Sequence, residues 1–103
     1  MSTVSPYHLE LDPEEFELCG RSEAVQTVLE DRGRARLAQQ PDGTRRLLAN
    51  SPGLELLLEA FAAEANQNTG AHEAIFAGLF RRALATLESL TLEELNSEEP
   101  LQE

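Results

Sequence analysis

The strongest apolar pattern in the chain has helical spacing and runs from Ala71 to Leu90. When residues are placed at about 100° steps, the apolar side chains share an arc that covers roughly half of the helix circumference. An arc of this width is more than one neighbouring element usually covers. We therefore expect the helix to pack against two elements, or against one element and a second subunit. The arc consists of Ile75, Phe76, Leu79, Phe80, Ala83, Leu84, Leu87 and Leu90.

A second apolar helix is predicted immediately before it, over 52–66. The run Asn50-Ser51-Pro52-Gly53 predicts its start, with Ser51 as the N-cap and Pro52 as the first helical residue. Its apolar positions extend most of the way round the helix, which is typical of a central element. The short polar link 66–70 predicts that the two helices pack antiparallel.

The amino-terminal third predicts a strand followed by a helix. Tyr7 to Leu11 alternates apolar and polar residues, the pattern of a half-buried strand. Asp12-Pro13-Glu14-Glu15 then predicts a helix start, with Asp12 as the N-cap and a capping-box glutamate three residues later. The helix is expected over 13–32, with a break near Gly20 where Ser22 offers a second cap, and Gly33 as its end.

The segments 34–40 and 44–49 flank Pro41-Asp42-Gly43, a triplet that favours a tight turn. A β-hairpin is therefore predicted, with helix as the alternative for either arm because Leu, Ala and Arg are weak strand formers. The full prediction is an α+β fold in the order β-α-β-β-α-α, with a small sheet covered on one face by the helical pair. The alternative is an all-α bundle.

The predicted organisation is one compact domain over 1–96, followed by an acidic tail over 97–103 that we expect to be disordered. Thr91 to Glu94 predicts one short helical turn before the tail. No signal-peptide pattern, no apolar run of membrane-spanning length and a single cysteine, Cys19, together predict a cytoplasmic protein without a membrane anchor.

The charge is strongly acidic and unevenly distributed. Nineteen carboxylates oppose eight basic residues, all of them Arg, for a net charge of −11. The segment 21–50 contains six of the eight arginines, so the chain has acidic ends and a basic middle. This balance disfavours general nucleic-acid binding. Host composition is the favoured explanation of an acidic, lysine-free chain, and a role in binding a basic partner is the alternative.

No catalytic motif is present in the sequence. It contains no Gly-rich phosphate loop, CxxC, HExxH or G-x-S-x-G pattern. His72 falls within the apolar arc, and we expect a half-buried, hydrogen-bonded histidine there. The spacing of His8, Cys19 and His72 does not support a metal site. We therefore predict a non-enzymatic protein that requires no cofactor and no metal.

The candidate binding site is an arginine patch on the hairpin. Arg presents a planar fork that suits phosphate or carboxylate groups, so a partner segment or another anion is the expected ligand. The alternative is that these side chains pair with acids of the same chain. The predicted site residues are Arg34, Arg36, Arg45 and Arg46.

The predicted function is a regulatory or adaptor module that acts through protein–protein interaction. One expected partner is a basic protein that meets the acidic segments 10–17 and 88–103. The wide apolar arc of 71–90, together with the apolar helix 54–65, also predicts a homodimer or a hetero-complex. The alternative function is nucleic-acid binding through the arginine-rich hairpin over 32–46, which lacks the aromatic residues that usually stack on bases.

Overall fold

The computed structural model describes residues 7–95, apart from the side chain of Glu94. The predicted α+β class and element order are confirmed, and the all-α alternative is wrong. The tail predicted over 97–103 lies outside the described residues. The elements are β1 (Tyr7–Leu11), α1 (Pro13–Arg21), α2 (Glu23–Leu29), β2 (Ala35–Gln39), β3 (Arg45–Ala49), α3 (Ser51–Gln67), α4 (Ala71–Glu88) and α5 (Leu92–Leu95).

The three strands form an antiparallel sheet in the order β1-β3-β2. The last strand in sequence is therefore the central strand, and the first two are the edges. Leu9, Leu47 and Leu37 lie opposite one another across the sheet. Because side chains alternate between the two faces of a strand, this register assigns every strand residue to a face.

One face of the sheet lies against the helices and is here called the inner face. The buried strand residues all belong to it, because the apolar positions of each strand are two residues apart. The buried residues of this face are Leu9, Leu11, Ala35, Leu47 and Ala49.

Helices α1 and α2 meet at Ser22, which confirms the predicted break. Asp12 and Glu15 form a capping box at the start of α1. The amide of Ser22 donates to the Leu18 carbonyl at the end of α1, and its hydroxyl accepts from the Val25 amide at the start of α2. The second helix ends at Leu29, earlier than predicted.

The amino-terminal end of α3 differs from the prediction, because Asn50 rather than Ser51 is the N-cap. The Asn50 side-chain oxygen accepts from the Gly53 amide at 2.9 Å, and its side-chain nitrogen donates to the Gly33 carbonyl at 3.0 Å. The Asn50 amide donates to the Arg34 carbonyl at 3.0 Å. One asparagine thus caps the helix and joins it to the chain ahead of β2.

Gly53 lies against the backbone at this junction. A Cβ atom at Gly53 would be 2.0 Å from the Arg34 carbonyl oxygen, far inside van der Waals contact. Gly53 has no positive φ angle. Glycine is therefore required here because a side chain has no room, and not because of the backbone conformation.

The core is completed where α3 packs on α4. Leu54, Leu57 and Phe61 are fully buried on α3, and Leu79 is fully buried on α4. Only Phe76, Leu79 and Ala83 of the predicted apolar arc are buried, and its other members are half-buried. Among residues 7–95, no helix has both the length and the apolar character that a membrane span needs.

The short helix α5 confirms the predicted helical turn and lies at the start of α3. The Ser51 hydroxyl donates to the Leu95 carbonyl at 3.0 Å. Ser51 is buried although it is not the N-cap, and this bond gives its buried hydroxyl a partner. The Leu92 side chain remains 75% exposed.

Candidate functional site

The face of the sheet that points away from the helices, here called the outer face, carries charged and apolar side chains together. None of its residues is buried, and Leu48 lies in its middle on the central strand. Neighbouring strands place His8 and Arg36 on either side of Leu48, and they place Glu10 and Ala38 on either side of Arg46. The outer face consists of His8, Glu10, Arg36, Ala38, Arg46 and Leu48.

The structure does not bring the four predicted arginines onto one face. Arg36 and Arg46 share the outer face, where they are diagonal neighbours on paired strands. Arg45 is on the inner face, and Arg34 lies in the turn before β2. The hairpin pattern correctly indicated a strand at both positions 45 and 46, and adjacent residues of a strand must point to opposite faces.

Arg46 and Arg34 each lie close to a carboxylate of the same chain. Arg46 Nη2 lies 3.7 Å from Glu10 Oε1, directly across the two strands. Arg34 Nε lies 3.3 Å from Asp31 Oδ2. The Arg34–Asp31 pair is exposed, and in the other pair Glu10 is exposed while Arg46 is half-buried. Pairs this close to the surface each contribute at most about 1 kcal/mol.

Arg45 makes a different kind of contact. Its guanidinium carbon lies 5.4 Å from the centre of the Phe16 ring, a distance typical of a cation–π interaction. The contact joins the inner face of β3 to α1. Arg45 therefore has a packing role that the other predicted site residues lack.

The hairpin turn that joins β2 to β3 is held by backbone hydrogen bonds. The Gly43 amide donates to the Gln40 carbonyl at 2.9 Å, and the Gln40 amide donates to the Thr44 carbonyl at 2.7 Å. Gly43 has φ of 91°, so the turn is the three-residue type with glycine in the left-handed position. Asp42 accepts from the Thr44 amide at 2.9 Å, and this bond lowers the pKa of the Asp42 carboxyl.

The acidic segment 10–17, predicted to meet a basic partner, uses much of its charge within the chain. Glu10 faces Arg46, Glu15 pairs with Arg82, and Glu17 pairs with Arg21. Asp12 is occupied as the N-cap of α1. These contacts leave less charge for an outside ligand than the sequence indicates.

His72, His8 and Cys19 are not gathered into a site. His72 is exposed, not half-buried as predicted, because the whole first turn of α4 extends beyond the core. His8 is exposed on the outer face, and Cys19 is fully buried. Burial, and then the nearby Glu15 carboxylate, raise the pKa of the Cys19 thiol to about 12. Within the described part of the chain, no cluster of three or more His, Cys, Asp or Glu is arranged to hold a metal.

The sequence alone did not identify Leu48 or the edge of β2 as parts of a candidate binding surface. Leu48 belongs to a run of two leucines, and only the register shows that Leu47 points inward while Leu48 points outward. The edge position of β2 depends on β1 pairing with β3, which no local pattern in the sequence indicates. The alternation Arg34-Ala35-Arg36-Leu37 was the available signal, since it marks a strand with a charged face.

Comparisons of the chain with protein-family models, with curated proteins and with solved structures gave no match.

Proposed function

We propose that this protein is a non-enzymatic regulatory or adaptor module that acts by binding another protein through the sheet. The observation that supports this proposal is the outer face, none of whose residues is buried although it carries an apolar residue at its centre. An apolar residue at its centre with charged residues around it resembles the composition of protein interfaces, which have an apolar core and a polar rim.

The charges of the outer face are of both signs. Arg36 lies on β2, Arg46 on the central strand β3 and Glu10 on β1. Mixed charges of this kind favour a specific orientation of a protein partner. A nucleic-acid surface would need a continuous positive field, and the pairing of Arg34 and Arg46 with carboxylates gives that alternative less support.

The test is capture of partners from native cell extract on the immobilised full chain, with and without nuclease. We expect a protein captured in stoichiometric amount, independent of nuclease, and lost with Leu48→Thr. Leu92→Thr is the matched control, because it makes the same change at an exposed leucine away from the sheet. Circular dichroism of each variant verifies that the fold is retained.

Three outcomes would contradict the proposal. Capture that disappears on nuclease treatment would indicate nucleic-acid binding, and the absence of any stoichiometric protein would argue against an adaptor. Capture that is lost with Leu92→Thr and retained with Leu48→Thr would place the interface at α5 and would overturn the assignment to the sheet.

A further inference from the structure

The two edges of the sheet differ in how their backbone groups are used. Backbone bonds at both ends of the β2–β3 pair, Gln40 to Thr44 and Asn50 to Arg34, fix which residues of β2 face β3. Because these groups alternate along a strand, the even-numbered residues of β2 face β3. The amide and carbonyl groups of Ala35, Leu37 and Gln39 therefore point away from the sheet.

The end of the β1 edge near α1 is occupied by side chains. By the same alternation, the outward groups of this strand belong to its even-numbered residues. The Glu10 carbonyl accepts from Arg82 Nη2, and the next outward amide, that of Asp12, donates to the Glu15 carboxylate. A strand added at this edge would have to displace Arg82.

The edge of β2 is open along most of its length. The Ala35 amide donates to the Asp31 carbonyl at 3.2 Å in the preceding turn. The outward backbone groups of Leu37 and Gln39 make no protein hydrogen bond within residues 7–95. Such an edge is a template for a further strand, and proteins usually block it unless it has a use.

The side chains of β2 indicate what kind of strand would fit. Arg36 lies on the outer face, and Arg34 immediately precedes the strand. Leu37 lies on the inner face, half-buried against the core. Successive residues of a strand beside β2 would therefore lie alternately next to the arginine side chains and next to Leu37.

We propose that β2 binds an extended acidic segment of a partner protein as a fourth strand. Backbone bonds to Leu37 and Gln39 hold the segment, its carboxylates lie beside Arg36 and Arg34, and its apolar residues lie beside Leu37. This mode of recognition is strand addition at a sheet edge. The inference rests on the proposed function, and it adds the chemical class of the partner and the element that binds it.

Charge distinguishes this occupant from a second copy of the chain. Two copies paired through β2 would bring one arginine-bearing strand against another, and each copy adds a net charge of −11. Like charges on adjacent strands are destabilising. An acidic segment instead meets the local positive charge of β2.

The test uses the ¹⁵N-labelled full chain and a short capped peptide that alternates glutamate and valine. We expect the peptide to shift the Leu37 and Gln39 amide resonances and to slow their hydrogen exchange. A peptide with lysine in place of glutamate should bind at least about tenfold more weakly.

Two variants and their controls separate backbone from charge recognition. Leu37→Pro removes an outward amide without breaking a β2–β3 bond, and prolines are tolerated at such edge positions. His8→Pro is its control, because it removes an outward amide from β1. Arg36→Glu reverses the charge and leaves the backbone intact, and Arg81→Glu is its control on the exposed surface of α4. We expect Leu37→Pro and Arg36→Glu each to weaken peptide binding by about tenfold, and the controls to leave it unchanged.

The inference is overturned if the β2 amides do not respond to the glutamate peptide, or if both peptides act equally. It is also overturned if Leu37→Pro abolishes self-association of the free chain, because β2 would then pair with a second copy. A partner captured equally well by wild type and by both variants would overturn the β2 assignment and leave the proposed adaptor function standing.

Discussion

Glu15 and Arg82 are 67 positions apart in the sequence, and their side chains meet at 2.9 Å. The same carboxylate accepts from the Asp12 amide through its other oxygen, which completes the capping box of α1. Arg82 in turn donates to the Glu10 carbonyl at the edge of β1. One ion pair thus connects the first helix, the first strand and α4.

We expect this pair to contribute measurably to stability, because Glu15 is only 16% exposed and holds two hydrogen bonds. A double-mutant cycle of Glu15→Ala and Arg82→Ala, followed by urea unfolding, should give a coupling free energy of about 1 kcal/mol. The cycle of Glu17→Ala and Arg21→Ala is the control, since both side chains are largely exposed. A coupling for Glu15 and Arg82 no larger than that of the control would contradict the prediction.

Gly53→Ala should destabilise the protein by about 3 kcal/mol, because the new methyl group would overlap the Arg34 carbonyl and force α3 away from the chain ahead of β2. Gly78→Ala is the matched control in the middle of α4, where a Cβ meets no atom within 4 Å. It should stabilise the protein by up to about 1 kcal/mol through helix propensity. Thermal or urea unfolding of both variants measures the difference. Equal changes in the free energy of unfolding would show that α3 lies farther from the chain ahead of β2 than described.

The buried Cys19 thiol predicts a loss of stability at high pH. Its pKa is raised from 9.0 to about 12 in the folded chain, so the folded state keeps the proton that the unfolded state releases. The contribution is complete below about pH 9 and is lost as the pH rises from about 9 toward 12. The slope attributable to this thiol is at most about 1.4 kcal/mol per pH unit.

The measurement for Cys19 is urea unfolding from pH 8 to 11, with Cys19→Ala as the comparison. The alanine variant should lack this part of the pH slope, although it is less stable overall because it leaves a small cavity. Thiol labelling of the native protein should also proceed only as fast as the chain opens. Rapid labelling at pH 8 under native conditions would show that the thiol is accessible.

The homodimer remains a prediction, and the apolar surface beyond the core gives it a specific location. Leu92 is 75% and Leu95 36% exposed on α5, and Leu84 and Leu87 of α4 are half-buried. Light scattering should give twice the mass of one chain, and Leu92→Glu should reduce it toward a single chain. A single-chain mass for the wild type across a wide concentration range would remove this prediction.

The predictions that the structure confirms came from patterns carried by neighbouring residues. Alternation over Tyr7 to Leu11 identified β1, and Pro41-Asp42-Gly43 identified the hairpin. Ser22 was recognised as a second cap because its hydroxyl bonds an amide three residues away. In each case the cause and its effect lie within a few residues, so the sequence alone contains the information.

The errors came from interactions between distant parts of the chain. Asn50 and Ser51 are both residue types that favour the N-cap position. In the structure Asn50 is the cap, and it also donates to the distant Gly33 and Arg34 carbonyls, which no local pattern indicates. His72 lies in the first turn of α4, whose four residues are all exposed, so its place in the apolar arc does not bury it. The division of the arginines between two faces required the register, which tertiary pairing sets.

The order β1-β3-β2 also bears on how the chain folds as it is synthesised. β1 leaves the ribosome first, yet its partner strand follows only after α1, α2 and β2 have been made. Until then Leu9 and Leu11 have no inner face to join, whereas β2 and β3 can pair as soon as their short turn is complete. The nascent chain therefore carries Leu9 and Leu11 without a partner strand until β3 has been made, and we expect that interval to be the period in which it depends most on chaperones.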